Sequence, residues 1–421
     1  MHTLKNKKKN GIFFDFIKVI MFLYFLFSVS YKFIPAGIPT SYIFMAVFII
    51  CALIYSLKTG GLILSNRKTF LFSIMFLVVS AISYVINAGS ADEFMMRTAL
   101  MYVIMSVVTG NVVALLFKND YLKLLKSISY VGVINGIAIL TMLLIKPFQT
   151  FYLSLLSEKT FSLIGGAEAV DGLISLRMVG ITGFSAYATG FVQCLCAICY
   201  VYYMFLRDGR IALRLKDYFV LGIIFMSALI AARSSLVGIA LIIFLLAFNM
   251  NSLRFMRTLM LTLVLVLVML TVVISFIPQE LRDFFVNWIS EFFISGTKTG
   301  SLQTNISMYI YGLSDFSLFG DSRWYGDNND YYMNTDVGWY RLPFAIGFIG
   351  SITWGLTLLS TLRFSRLFSS KIAFPNAVAM VLFLYVSIMM FKGAIVFDSF
   401  QSILIFLVID IVSRSGKHNE T

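Results

Sequence analysis

Charge is scarce in this chain. Asp, Glu, Lys and Arg make up 13% of its 421 residues, about half the ~25% usual for a soluble domain. Hydrophobic residues reach 59% and the mean hydropathy is +0.90. A water-soluble fold cannot hide so much apolar surface, because even folded domains leave much of it exposed. A soluble enzyme, a disordered chain and a nucleic-acid binder are thereby excluded. A polytopic membrane protein remains.

Histidine is nearly absent too. His2 and His418 sit at the termini, which excludes any mechanism needing a histidine base or metal ligand in the middle of the chain. The four cysteines, Cys51, Cys194, Cys196 and Cys199, lie in apolar runs. The last three share one predicted helix at a spacing unlike a zinc site, so they read as apolar side chains of a membrane helix. There is no Walker loop, Rossmann glycine pattern, Ser-His-Asp set or metal-ligand cluster, and no cofactor is expected.

What the sequence does have is long hydrophobic runs. A spanning helix takes ~20 residues. The runs predict an all-α polytopic integral membrane protein, one membrane domain over 1–421, with about twelve transmembrane helices. They fall near 13–33, 39–57, 69–88, 97–117, 125–145, 186–206, 218–232, 235–250, 258–277, 342–362, 374–391 and 395–413. The run over 218–250 is too long for one span. A tight outer turn is therefore placed at Arg233-Ser234-Ser235.

Placing the charges fixes an orientation. With the N-terminus and its Lys5, Lys7, Lys8 and Lys9 inside, the inner connections carry Lys58, Arg67, Lys68; Lys118, Lys123, Lys126; Arg207, Arg210, Arg214, Lys216; Arg254, Arg257; and Arg363, Arg366, Lys371. Arg414 and Lys417 follow the last run. These are 21 of the 33 basic residues, although the outer loops are far longer. That is the positive-inside pattern, with both termini cytoplasmic. The first apolar stretch is long enough to span, so it reads as an uncleaved anchor rather than a signal peptide. Asp15 and Lys18, near its inner end, are spaced to pair on one helix face.

Two outer loops are large, 146–185 and 278–341. Loops on a rigid scaffold carry function, whereas a transporter more often places ionisable groups near the bilayer midplane. Asp398 and Lys392 fall near the outer end of the last hairpin. The first loop ends in Arg177, Gly180, Gly183 and Phe184, running into a helix. Glycine lets backbone approach a ligand and arginine offers a fork suited to phosphate; a membrane-surface anchor is the alternative. Arg233 either holds a ligand or snorkels from a helix end.

The second loop interleaves Asp321, Arg323, Trp324, Asp327, Asp330, Tyr331, Tyr332, Asp336, Tyr340 and Arg341. Rings stack on the apolar faces of sugars while polar groups bind their hydroxyls. An aromatic belt at the membrane interface would account for Trp339 and Tyr340 alone. The stretch from Asp321 to Tyr332 is too polar for that. Asp336, just before a span, suits a proton acceptor or a helix N-cap.

The order of these features resembles the O-antigen polymerase (Wzy) family and the related O-antigen ligases. The residues that carry the resemblance are Arg177 with Gly180, Gly183 and Phe184; Arg233-Ser234-Ser235; and Tyr332 through Gly338, Arg341-Leu342-Pro343 and Gly347 to Gly350. Ligases of this group carry a histidine near the end of the second loop, where this chain offers Asp336, so the polymerase is the nearer likeness. The resemblance implies two large periplasmic loops in the bacterial inner membrane and an inverting, metal-independent glycosyl transfer. The donor is the growing glycan on undecaprenyl diphosphate and the acceptor a single lipid-linked repeat unit. A chain-length regulator in the same membrane is the implied partner. Arg177 and Arg233 would neutralise the diphosphate and Asp336 would act as base. Arg323, Asp327, Asp330, Tyr332 and Arg341 would bind substrate. The rival expectation is a lipid-linked glycan flippase or other polysaccharide transporter.

Overall fold

The structure is a computed structural model that describes residues 2–158, 180–183, 186–248, 250, 252–276, 279, 282, 300–326, 331–363 and 373–415. No strand occurs among them; Tyr31–Leu156 and Tyr325–Tyr331 form isolated bridges. In chain order the helices are α1 (His2–Phe27), α2 (Thr40–Thr59), α3 (Arg67–Ile86), α4 (Phe94–Phe117), α5 (Tyr121–Leu144), α6 (Lys146–Leu155), α7 (Ala186–Asp208) and α8 (Leu215–Ala231). They continue with α9 (Ser235–Phe248), α10 (Ser252–Phe276), α11 (Gly300–Ser307), α12 (Gly338–Leu362), α13 (Phe374–Lys392), α14 (Ile395–Asp398) and α15 (Ile403–Ser415). Seven of these, α2, α3, α4, α5, α7, α12 and α13, are long and apolar enough to cross a bilayer. The protein is therefore an α-helical, multi-pass membrane protein.

Helix α3 shows how the sequence produces that result. Its Thr69, Ser73, Phe76, Ser80 and Ser83 are buried, whereas Leu71, Met75, Val78, Ile82 and Val85 are exposed. Both sets recur at helical spacing. Phe76 apart, large apolar side chains face outward and small polar ones face in, the reverse of a soluble helix. In hydrocarbon this is favourable, since small residues let helices approach and hydroxyls bond across the contact. Asn66 caps α3, its carboxamide oxygen accepting from the backbone of Lys68 at 3.0 Å, the usual satisfaction of an orphan N–H.

The chain divides into two compact units, Met1–Tyr55 with Val112–Pro278 and Ser56–Asn111 with Gln279–Thr421. In the first, α7 packs against α5 and α8. Gln193, buried in α7, donates to the Gly132 carbonyl and to Ser227 Oγ, both at 2.7 Å. Lys18 and Asp15 do pair, at 3.1 Å. The break expected at Arg233 is present: Ala232 is extended and separates α8 from α9.

In the second unit α3 lies along α12. The ends of its helices that carry basic residues gather together. Asn66 Nδ2 reaches the Ser360 carbonyl and Asp410 Oδ2, and Arg414 pairs with Asp410. At the other end Asn87 donates to the Gly320 carbonyl at 3.0 Å and Asn305 to that of Lys392 at 3.1 Å.

Two predicted spans are not continuous helices. In α12, Gly347 has φ +67° and ψ −173°, a region open essentially to glycine alone. Residues 317–322 run beside the break and take over its hydrogen bonding. Asp321 and Ser322 donate to the carbonyls of Phe344 and Ala345, and Phe348 and Ile349 donate to those of Ser317 and Leu318. The last run, 395–413, is interrupted at Ser399 (φ −119°, ψ 54°), whose hydroxyl bonds back to the Ile395 carbonyl. The 13-residue α15 spans only ~20 Å, short of the ~30 Å hydrocarbon core. A Cβ at Gly347 would lie 2.2 Å from the Leu318 carbonyl oxygen. Gly347→Ala should therefore lower stability by ~1–3 kcal/mol, read as a fall in the midpoint of thermal unfolding in detergent; an unchanged midpoint would mean the junction is loose.

Candidate functional site

The second unit collects most of the residues expected to bind substrate. Arg341, in the first turn of α12, is 2% exposed. Its guanidinium carbon stands 4.0 Å from the Trp324 ring centre and 4.7 Å from that of Tyr331, and Nη2 donates to the Trp324 carbonyl at 3.0 Å. Trp324 in turn stacks on Phe94, centroids 4.7 Å apart. Asp92 fixes this arrangement. One of its oxygens accepts from the Phe94 backbone N–H and the other from those of Trp324 and Tyr325. The bridge between Tyr325 and Tyr331 brings the two flanks of the loop together, so Trp324 and Tyr331 can sandwich the guanidinium.

That sandwich leaves polar groups unsatisfied. Nε and Nη1 of Arg341, Nε1 of Trp324 and Oδ1 of Asp336 are buried without a hydrogen-bond partner among the described residues. Each such group costs ~1–3 kcal/mol or more if charged. Such groups mark where a polar ligand or water would be held.

Asp336 is not a helix cap. The residue in the cap position of α12 is Val337, and no side chain bonds the helix start there. The cap reading of Asp336 is thereby corrected: its backbone N–H donates to Met308 Sδ and its carboxylate is left for other work. Burial first, then the charge of Asp398, push its carboxyl up to about 6, against the weaker opposing pull of Arg341 and Lys392. A carboxylate poised there can accept a proton near neutral pH.

Of the other expected residues, Tyr332 is half-buried and donates to Asp321 Oδ2 at 3.1 Å, with the Arg323 guanidinium over its ring at 4.9 Å. Asp327 and Asp330 lie outside the described residues. Beside this cluster an apolar groove of ≈ 430 Å³ runs along α12, lined by Phe316, Trp339, Tyr340, Pro343, Trp354 and Leu358.

The first unit holds the other expected arginines. Arg177 lies outside the described residues. Four residues later the chain is firmly anchored: Ile181 N–H donates to Asn135 Oδ1 at 2.7 Å, Thr182 and Thr189 share a hydroxyl bond, and Gly183 N–H reaches the Phe27 carbonyl. Arg233 is half-buried in the α8–α9 turn. The turn sits against Gly190, where a Cβ would lie 2.2 Å from Ser235 Oγ. The hydroxyls of Ser234 and Ser235 are buried without partners among the described residues.

Sequence reasoning noted Asp398 and Lys392 only by position and missed Asp92. Its place before an apolar helix was a capping signal, but its bonds to Trp324 and Tyr325 cross more than two hundred residues. Among the described residues no three His, Cys, Asp or Glu side chains gather as a metal ion would need. No family model, no characterised protein and no solved structure matches this chain.

Proposed function

We propose that the chain is a membrane glycosyltransferase of the O-antigen polymerase type, joining lipid-linked repeat units at the periplasmic face of a bacterial inner membrane. The observation that carries this reading is a carboxyl raised to about 6 that feels the charge of Arg341, a buried arginine stacked on Trp324 with Nε and Nη1 unpaired among the described residues. An acceptor hydroxyl attacks the donor's anomeric carbon, Asp336 takes the hydroxyl proton, and undecaprenyl diphosphate leaves with the bonding electrons. Arg341 offsets the leaving group's charge, as fixed donors do for developing anions; for Arg177 and Arg233 the same task is what the family resemblance implies. The aromatic and polar residues around Arg323 and Tyr332 suit sugar faces and hydroxyls. The apolar groove beside α12 suits a polyprenyl chain. An oligosaccharide on undecaprenyl diphosphate serves as both donor and acceptor, and a chain-length regulator is the expected membrane partner.

Supplied lipid-linked repeat units should grow into polymer on the reconstituted protein without ATP. One observation favours a second reading, that of a lipid-linked glycan flippase: the breaks at Gly347 and Ser399 are of the kind transporters build sites from. In that case the same vesicles would move units across the bilayer with no growth in chain length.

Orientation is tested separately. Leu313 is 77% exposed, so Leu313→Cys should react with a membrane-impermeant thiol reagent in cells whose outer membrane is permeabilised. Labelling only after lysis would reverse the topology.

A further inference from the structure

A second groove, also within the second unit, lies between the start of α3 and the end of α12, with a volume of ≈ 790 Å³. Arg67, Lys68 and Arg363 form its rim, and Leu71, Phe72 and Leu359 its apolar wall. The charge here is unbalanced. The carboxylate in the ion pairs at this end is Asp410, which is buried and already engaged by Arg363 and Arg414 and by the carboxamide of Asn66. Arg67 and Lys68 are exposed, and neither pairs with a carboxylate among the described residues.

The groove is also preformed. Asn66 spans from the start of α3 to the Ser360 carbonyl at 3.1 Å, and Ser360 Oγ donates to Thr69 Oγ1 at 3.0 Å. The two helix ends that form it are therefore locked together. Below the cationic rim, Leu71 is 56% exposed and begins the apolar stripe of α3 that continues through Met75 and Val78. A molecule seated here meets cations at one end and hydrocarbon-facing side chains at the other.

We propose that this groove binds an anionic phospholipid, its phosphate among Arg67, Lys68 and Arg363 and one acyl chain along Leu71 and Phe72. Basic pockets between membrane helices hold acidic headgroups in this way. A zwitterionic lipid would bring its own amine against three cations. In the positive-inside orientation expected from the sequence, the site would lie in the cytoplasmic leaflet. The proposal is independent of the glycosyl-transfer reading, because it needs only a membrane.

The test uses the full chain in detergent, with bound lipid counted by native mass spectrometry and confirmed by thermal shift. Phosphatidylglycerol should be retained and should raise the unfolding midpoint, while phosphatidylcholine should not. R67Q/K68Q removes two exposed cations without breaking an ion pair and should weaken phosphatidylglycerol binding about thirtyfold. K123Q/K126Q, a basic pair on α5 in the first unit, should leave it unchanged. L71E, which keeps all three cations but opposes the acyl chain, should lose the lipid as well and decides the matter if R67Q/K68Q unfolds more easily. Glycerol 1-phosphate, a headgroup without chains, should neither stabilise nor compete. Equal retention of both lipids, equal loss in K123Q/K126Q, full binding by L71E or competition by glycerol 1-phosphate would each overturn it.

Discussion

Asp336→Asn should cut polymerisation by ~10²-fold or more, the usual size of a general-base contribution, while leaving the protein folded. The carboxyl accepts no capping role that an amide would have to replace. The pH dependence carries the stronger signature. A group titrating at about 6 must be ionised to take a proton, so the wild-type rate should fall as pH drops through about 6. The asparagine variant should lose that acidic limb. Stability runs the other way. The folded-state value lies above the ordinary 3.8, so the native state prefers the protonated acid. The contribution of Asp336 to stability is full below about 4 and lost as pH rises through about 6. Asparagine is neutral throughout. It should match the wild type at low pH and unfold at a higher temperature at neutral pH, by up to ~2–3 kcal/mol for a two-unit shift. A wild-type rate in the variant, or a wild-type profile flat through about pH 6, would remove Asp336 from proton transfer.

Arg341→Lys is expected to lose ~10²-fold in kcat, the cost of removing one fixed donor to a developing anion. Lysine keeps the charge but not the planar fork that lies between Trp324 and Tyr331, nor its paired N–H groups. The same substitution at Arg177 or Arg233 should also rescue poorly if those residues share the task. Arg341→Ala is the less informative change, because it also empties the space under Trp324 and would destabilise the loop. Trp324 fluorescence separates the two effects. In Arg341→Lys the emission should stay close to wild type while kcat falls. An unchanged kcat accompanied by a lower unfolding midpoint would make Arg341 a packing residue.

The α-helical, multi-pass character was legible because it rests on composition. Apolar runs such as those of α3 and α13 have no other stable fate, and Arg233 marked a break because a charge cannot sit within hydrocarbon without cost. The junction of the large loop with α12 drew notice for a similar reason: Asp336 and Arg341 are ionisable groups at the edge of a span. What the sequence could not display was direction. Whether Asp336 caps α12 or turns away from it depends on which residue takes the N-cap, and Val337 gives no sign of that role. Gly347 reads as an ordinary small residue in an apolar run, because the segment that breaks the helix there, 317–322, is distant in sequence. The interruption of the last run at Ser399 is hidden likewise, since Asp398 and Ser399 are too few to lower its hydropathy. Asp92 escaped notice because its work is done on the backbone of Trp324 and Tyr325.

The exchange of backbone hydrogen bonds between residues 317–322 and the broken turn of α12 has a bearing on how such a protein can be diversified. Loop and helix share one register, with Asp321 and Ser322 fixed to Phe344 and Ala345, and Arg323 and Trp324 following at once. The loop that holds residues 317–322 is consequently not a cassette. Transplanting it would have to carry the first half of α12 along with it, including Gly347.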